Sequence, residues 1–150
     1  MALLLRDSAL NIRNIAICKI EKDDHIFVLE GYDPKKDETF YRPLGGGVEF
    51  GELARDAAIR EFQEELDTTI SVGNEFQVFE NIFEFNGKPG HEVVFVLNAK
   101  FEDSTFYEGS EFIGNEGGTE FKALWVHIND FISGQKILYP NGFVSSLRQS

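Results

Sequence analysis

Positive charge is scarce in this sequence: 14 Lys and Arg stand against 26 Asp and Glu in 150 residues, a formal charge of −12. That balance excludes a general nucleic-acid surface, because Lys and Arg supply non-specific affinity for phosphates. An acidic chain that acts on phosphates needs a metal ion to bridge the two. There is one cysteine, Cys18, so no internal disulfide can form. It sits in the apolar run IAICKI and reads as a buried structural thiol. No apolar stretch approaches the length of a membrane span. The opening MALLLRDS is too short for a secretory signal and has no small-residue cleavage pattern behind it, so the chain reads as cytoplasmic. His25, His91 and His127 lack metal-ligand spacing. Repeats and low-complexity segments are absent, and 42% hydrophobic content over 150 residues fits one domain, 1–150, with a real core.

Several β-rich runs are present. Asn14 to Ile20 and Ile26 to Leu29 flank the polar EKDDH and read as a strand pair, the first apolar on both faces and therefore central. Gly31 to Glu38 reads as a loop, and Thr39 to Arg42 as a short strand leading to Pro43 and three glycines. Ile70 to Phe85, with a kink at Val72-Gly73-Asn74, and His91 to Phe101 read as an antiparallel pair across NGKPG. Glu102 to Gly118 is polar and glycine-rich, a long loop of the kind that is often functional. Phe121 to Val126 is a further strand. Asn129-Asp130 reads as the cap of a short FISG turn, and Asn141 to Leu147 as a terminal helix. Pattern alone gives α/β or α+β.

Between these runs lies GGGVEFGELARDAAIREFQEELD, Gly45 to Asp67. The glycines read as a sharp turn that lets backbone approach a ligand closely. From Leu53 to Asp67 good helix formers run without glycine or proline, predicting about four turns of helix. Ala54, Ala58, Ile59, Phe62 and Leu66 form its apolar stripe. Glu61, Glu64 and Glu65 crowd neighbouring faces at the edge of that stripe. A hard divalent cation offsets their repulsion most simply, since Mg²⁺ takes carboxylate, phosphate and water oxygens.

The spacing is specific. Gly46 is followed after five residues by Glu52, after seven more by Arg60-Glu61, then Phe62, one free position, and Glu64-Glu65. This resembles the box of the Nudix hydrolases over 23 positions, Gly46 to Thr68, with looser similarity at Tyr41 to Leu44 and Trp125-Val126. Asp67 and Thr68 depart from it, standing where the family has glycine and a hydrophobic residue; Asp can adopt the left-handed conformation that closes the helix.

The resemblance implies an α/β/α sandwich with a mixed β-sheet and a hydrolase that splits a diphosphate linkage by water attack at phosphorus. It implies Mg²⁺ or Mn²⁺ held by Glu61, Glu64 and Glu65 with a carbonyl from Gly45 or Gly46. Glu52 and Arg60 match the family's bracing pair. The proton acceptor is either Glu61 or a loop acid, Glu116 foremost with Glu108, Glu111 and Glu120 behind it. Arg42 is a candidate for a phosphate contact, and Tyr41, Phe79, Phe83 or Phe85 for stacking on a base, although most of the 15 phenylalanines must be core. Nucleoside triphosphates, nucleotide sugars and dinucleoside polyphosphates all remain open as the small nucleotide-type substrate. The competing readings are a catalytically silent nucleotide-binding regulatory domain, which would be expected to lose box carboxylates, and action on RNA 5′ ends, against which the acidic balance weighs. Family members often form homodimers.

Overall fold

The computed structural model describes residues 10–147. The opening segment, on which the absence of a signal sequence was read, lies outside the described residues. The chain runs β1 (Ile12–Lys19), β2 (Glu21–Lys22), β3 (His25–Asp33), β4 (Glu38–Pro43), β5 (Gly45–Gly47), α1 (Ala54–Leu66), β6 (Ile70–Phe85) and β7 (Lys88–Phe101). A 3₁₀ turn (Ser104–Tyr107), β8 (Glu111–Glu116), β9 (Thr119–His127), α2 (Ile128–Ile132), β10 (Ile137–Leu138) and α3 (Phe143–Leu147) follow.

One sheet has the order β5-β1-β7-β6, with β1 parallel to β7 and the other pairs antiparallel. The second has the order β10-β4-β3-β9-β8, with β2 pairing β3. The apolar character of both faces of β1 now has its reason. Ala16 and Cys18 pack with Ala57, Ala58 and Phe62 of α1 on one side, and Ile15 and Ile17 pack with Phe131 of α2 and Phe143 and Leu147 of α3 on the other. Helices on both faces of mixed sheets make the α/β/α sandwich. Phe62, 1% exposed and edge-on to Phe101, anchors α1; burying such a ring contributes about 2–3 kcal/mol.

Several boundaries differ from the sequence reading. The three glycines are strand β5, not a turn. β3 continues to Asp33, so the loop before β4 is only four residues, tied by Asp33 accepting the backbone N–H of Lys35, Lys36 and Asn86. The β6–β7 turn is only Asn86-Gly87, with φ of 52° and 77°, the mirror-image geometry that suits a two-residue hairpin. The kink is present as a register shift between Val72 and Phe76. The long polar loop contains the 3₁₀ turn and β8; alternation of small, polar and apolar residues hid a strand with one half-covered face. α2 is capped by His127, whose Nδ1 accepts the Asn129 N–H at 3.1 Å, not by Asn129-Asp130.

Three cross-strand pairs share one device. Gly31 lies opposite Phe40, Gly90 opposite Phe83, and Gly114 opposite Phe121. In each the ring covers the glycine so closely that an added Cβ would lie 2.2 to 2.5 Å from it.

Candidate active site

The helix α1 presents its carboxylates through a face turned further inward than the apolar stripe suggests. Ala57, Ala58, Glu61, Phe62 and Glu65 are buried, whereas Ile59 and Leu66 are half-buried and Glu64 is exposed. Two of the three acids are thus desolvated against the core. Burial therefore drives the Glu65 carboxyl up to about 9, with the hydrogen bond and charge of Glu61 and the charge of Glu116 adding to it. Its Oε1 is buried without a hydrogen-bond partner.

Arg60 organises the outer side of the face. Its Nε and Nη2 donate to the two carboxylate oxygens of Glu52 at 2.9 and 3.0 Å, a bidentate pair. Nη2 also donates to the Gly47 carbonyl at 3.0 Å, and Nη1 to Glu61 Oε1 at 3.0 Å and Glu64 Oε2 at 3.3 Å. The Glu52 carboxylate additionally accepts the Glu49 N–H. Hydrogen bonding to Arg60 holds the Glu52 carboxyl below the usual carboxylate range, and bonding to Glu52 raises the Arg60 guanidinium. One arginine therefore locks the loop before α1, strand β5 and two of the box acids together. With Nη1 on Glu61 and Glu64, no group of three His, Cys, Asp or Glu side chains among the described residues converges on a single metal-sized centre.

Strand β5 lies on the same face. Gly46 faces Glu61 so closely that a Cβ there would sit 2.4 Å from the carboxyl carbon. Bonds from Cys18 N–H to the Leu44 carbonyl and from Val48 N–H to the Asn14 carbonyl, both 2.9 Å, fix the phase of the β1–β5 ladder. Bonded positions alternate in an antiparallel ladder, so Gly46 bonds Ala16 while the carbonyls of Gly45 and Gly47 point out of it. That of Gly47 accepts from Arg60.

At the helix end, Asp67 takes the left-handed conformation (φ 51°, ψ 45°) with its N–H on the Gln63 carbonyl, and the Gln63 side-chain amide donates to its carboxylate at 2.9 Å. The missing family glycine is replaced in conformation. Thr68 is buried.

Other candidates are distributed differently. Glu116, at the end of β8 before Gly117-Gly118, is close enough for its charge to act on Glu65. Glu108, Glu111 and Glu120 are exposed, with Glu111 paired to Lys122. Tyr41 is not at the mouth of the box. Strand alternation turns it to the opposite face, where its hydroxyl donates to Glu30 and its ring packs on Phe131. Arg42 is not a surface phosphate contact either: it is 1% exposed, its Nη1 3.9 Å from the equally buried Glu92, and burial lowers its pKa. Phe83 and Phe85 line a cleft with Arg42, Phe40, Asn81 and Tyr139, and Phe79 packs edge-on to Phe143. Sequence reading missed Glu92, which pairs with both Arg42 and Arg13. Its signal was a lone acid in the apolar strand EVVFV.

The chain belongs to the Nudix family: the model of the NUDIX domain matches residues 10–142. Members of this family are hydrolases that act on small nucleotide-type substrates and generally use divalent metals. Solved structures similar in fold include a Nudix hydrolase from Nitrosomonas europaea, 15% identical over 93% of this chain and 87% of its own, with a TM-score of 0.63. A MutT Nudix hydrolase from Burkholderia pseudomallei is 19% identical over 93% of this chain and 97% of its own, with a TM-score of 0.57. An Ap4A hydrolase from C. elegans is 19% identical over 92% and 94%, with a TM-score of 0.56. No curated protein matches the chain significantly. No helix among the described residues is long and apolar enough to cross a membrane.

Proposed function

We propose that this chain is a divalent-metal-dependent pyrophosphohydrolase. It acts in the cytoplasm, as a single domain, on the diphosphate linkage of a small nucleoside diphosphate derivative. The observation that carries this reading is the face of α1, where buried Glu61 and Glu65 and exposed Glu64 lie side by side, Glu61 against strand β5, under the bracing of Arg60.

The chemistry of the donors, rather than their present spacing, suits Mg²⁺ or Mn²⁺. The donors are all hard oxygens, Glu65 keeps a buried oxygen without a partner, and glycine at 46 leaves room for the Glu61 carboxyl. Glu61, Glu64 and Glu65 would hold the metal with the Gly45 carbonyl, which ladder phase leaves outside the β1–β5 bonds while that of Gly47 is taken by Arg60. When bound, the metal supplies charge neutralisation of the diphosphate and a lowered pKa for water.

The protein supplies position. Glu52 and Arg60 fix the carboxylates from the outside, and Arg42, with Glu92 behind it, contributes positive charge from beneath without touching substrate. Arg60 already occupies Glu61 Oε1, so Glu116, whose charge reaches Glu65 from the end of β8, is the acceptor we assign to the proton of the attacking water.

The test is phosphate or pyrophosphate release from nucleoside triphosphates, nucleotide sugars and dinucleoside polyphosphates, with Mg²⁺ or Mn²⁺ and with EDTA. Glu64→Gln and Glu65→Gln lose hydrolysis while keeping the fold, and Glu116→Gln loses about 10²-fold or more in kcat. Wild-type turnover in either box variant sinks the assignment, and inertness of the wild type toward the whole panel favours the regulatory reading.

A further inference from the structure

We infer that Arg13 grips the second phosphate of the diphosphate linkage, the one next to the phosphate that the box acids and their metal hold. This contact presupposes the pyrophosphohydrolase reading above, and it adds a specificity-determining residue that lies outside the box. Three arginines surround the site. Arg60 commits its three nitrogens to Glu52, Glu61, Glu64 and the Gly47 carbonyl. Arg42 is 1% exposed and lies beneath. Arg13 both reaches solvent, with 18% of its side chain exposed, and lies against β5. Besides its burial, the Arg42 guanidinium feels the charges of Glu92, Glu65, Arg13 and Glu116, so Arg13 shares the electrostatic surroundings of the box.

The register of the sheet aims the side chain. In the parallel β1–β7 ladder Arg13 is the partner of Glu92. Glu92 is buried, and neither of its carboxylate oxygens has a hydrogen-bond partner. It stands between Nη1 of Arg42 at 3.9 Å and Nη1 of Arg13 at 4.0 Å. That desolvated charge draws Nη1 of Arg13 inward, while Nη2 is turned toward β5, 3.7 Å from where a Cβ of Gly47 would lie. Neighbouring residues of a strand face opposite sides. Gly46 therefore looks onto Glu61, whose carboxyl carbon is 2.4 Å from where its own Cβ would lie, and Gly47 looks onto Arg13. Carboxylate and guanidinium are thus within about 12 Å of each other across a strand that bears no side chains. β5 also ends its sheet, so no further strand of that sheet stands in the way. The two phosphates of one linkage, with a metal–oxygen bond at one end and a hydrogen bond at the other, bridge a gap of that length. The planar fork of arginine suits the second phosphate.

Isothermal titration in Mg²⁺ tests the contact without turnover, by comparing methylenediphosphonate, which water does not split, with methylphosphonate. Arg13→Gln weakens methylenediphosphonate by about 10- to 10²-fold, the loss of a charge-assisted hydrogen bond, and leaves methylphosphonate within about twofold. Arg13→Lys, which keeps the charge without the fork, falls between. Arg42 stays beside Glu92 in both variants, and thermal melts check that both keep the fold. In steady-state kinetics the same loss appears in KM, with kcat within about threefold of wild type. An Arg13 with only a structural role would weaken both phosphonates alike. Equal methylenediphosphonate affinity in wild type and Arg13→Gln, equal losses for the two probes, or a wild type that binds no methylenediphosphonate overturns the inference. A wild type that binds methylenediphosphonate through Arg13 and hydrolyses no nucleotide removes the hydrolase reading and leaves the Arg13 contact standing.

Discussion

Replacing Gly46 by alanine separates the site from the scaffold. The added methyl lies 2.4 Å from the Glu61 carboxyl carbon and 2.6 and 2.7 Å from its oxygens. Ordinary carbon contacts begin near 3.5 Å, so the carboxylate must retreat by about 1 Å. It is buried and held by Arg60 at 3.0 Å, and a shift of that size takes the bond outside hydrogen-bonding range. Overpacking of this kind costs about 1–3 kcal/mol, which in a domain of this size lowers Tm by roughly 2–10 °C. The effect on turnover is larger, because a misplacement of about 1 Å costs on the order of 10²-fold. Gly45→Ala is the control. Its methyl falls 1.9 Å from the Ala16 carbonyl oxygen and 2.6 Å from the Ile17 Cα, backbone atoms that cannot swing away, at a φ of +155°. That variant loses the fold, and Gly46→Ala keeps the fold and loses activity. Steady-state kinetics with Mg²⁺ and thermal melts read both. If Gly46→Ala keeps kcat/KM within about twofold of wild type, the claim that β5 positions Glu61 is wrong.

Two further outcomes follow from the buried charges. Arg42→Met leaves Glu92 desolvated with only the partly exposed Arg13, at 4.0 Å, near it; breaking a buried pair outright costs about 3–5 kcal/mol, and Arg13 keeps the loss at or below the low end of that range; the double variant Arg42→Met/Glu92→Leu recovers most of the urea midpoint, and a single variant as stable as wild type refutes the pairing. For Glu65, the raised pKa means that the native state keeps a proton which the unfolded chain releases between the ordinary carboxylate range and about 9. Its contribution is complete below the ordinary value and is lost as pH rises through about 9. In EDTA, wild-type stability should fall across that window relative to Glu65→Gln, and parallel curves contradict the assignment.

The box was legible because its constraints are local. Helix spacing places Glu61, Glu64 and Glu65 together whatever surrounds them, and the bracing of Glu52 by Arg60 spans only eight residues. The inward rotation that buries Glu61 and Glu65 was not legible, since it depends on which residues of β1, β5 and β8 the helix meets. Arg42 and Tyr41 were misplaced for a related reason. Adjacency in sequence to the box suggests adjacency in space, but strand alternation sends one side chain inward and the other to the far face. The Arg42–Glu92 pair joins residues 50 positions apart, beyond any local pattern. The segment of β8 reads as a loop in sequence because its glycine, Gly114, looks like a breaker when the Phe121 ring that covers it is out of sight.

The glycine–phenylalanine pairs bear on how the strands find one another. A ring that fits only over a residue with no side chain acts as a key for one alignment. Sliding Phe40, Phe83 or Phe121 by one residue sends its ring to the other side of the sheet, and sliding it by two brings it against a side chain where it had found bare backbone. Three of the antiparallel ladders carry such a check within their own pair of strands. A misaligned hairpin thus loses its ring contacts whether or not a helix covers it. A sequence with 15 phenylalanines and 14 glycines thus uses its most adhesive residues as a means of sorting right from wrong alignments.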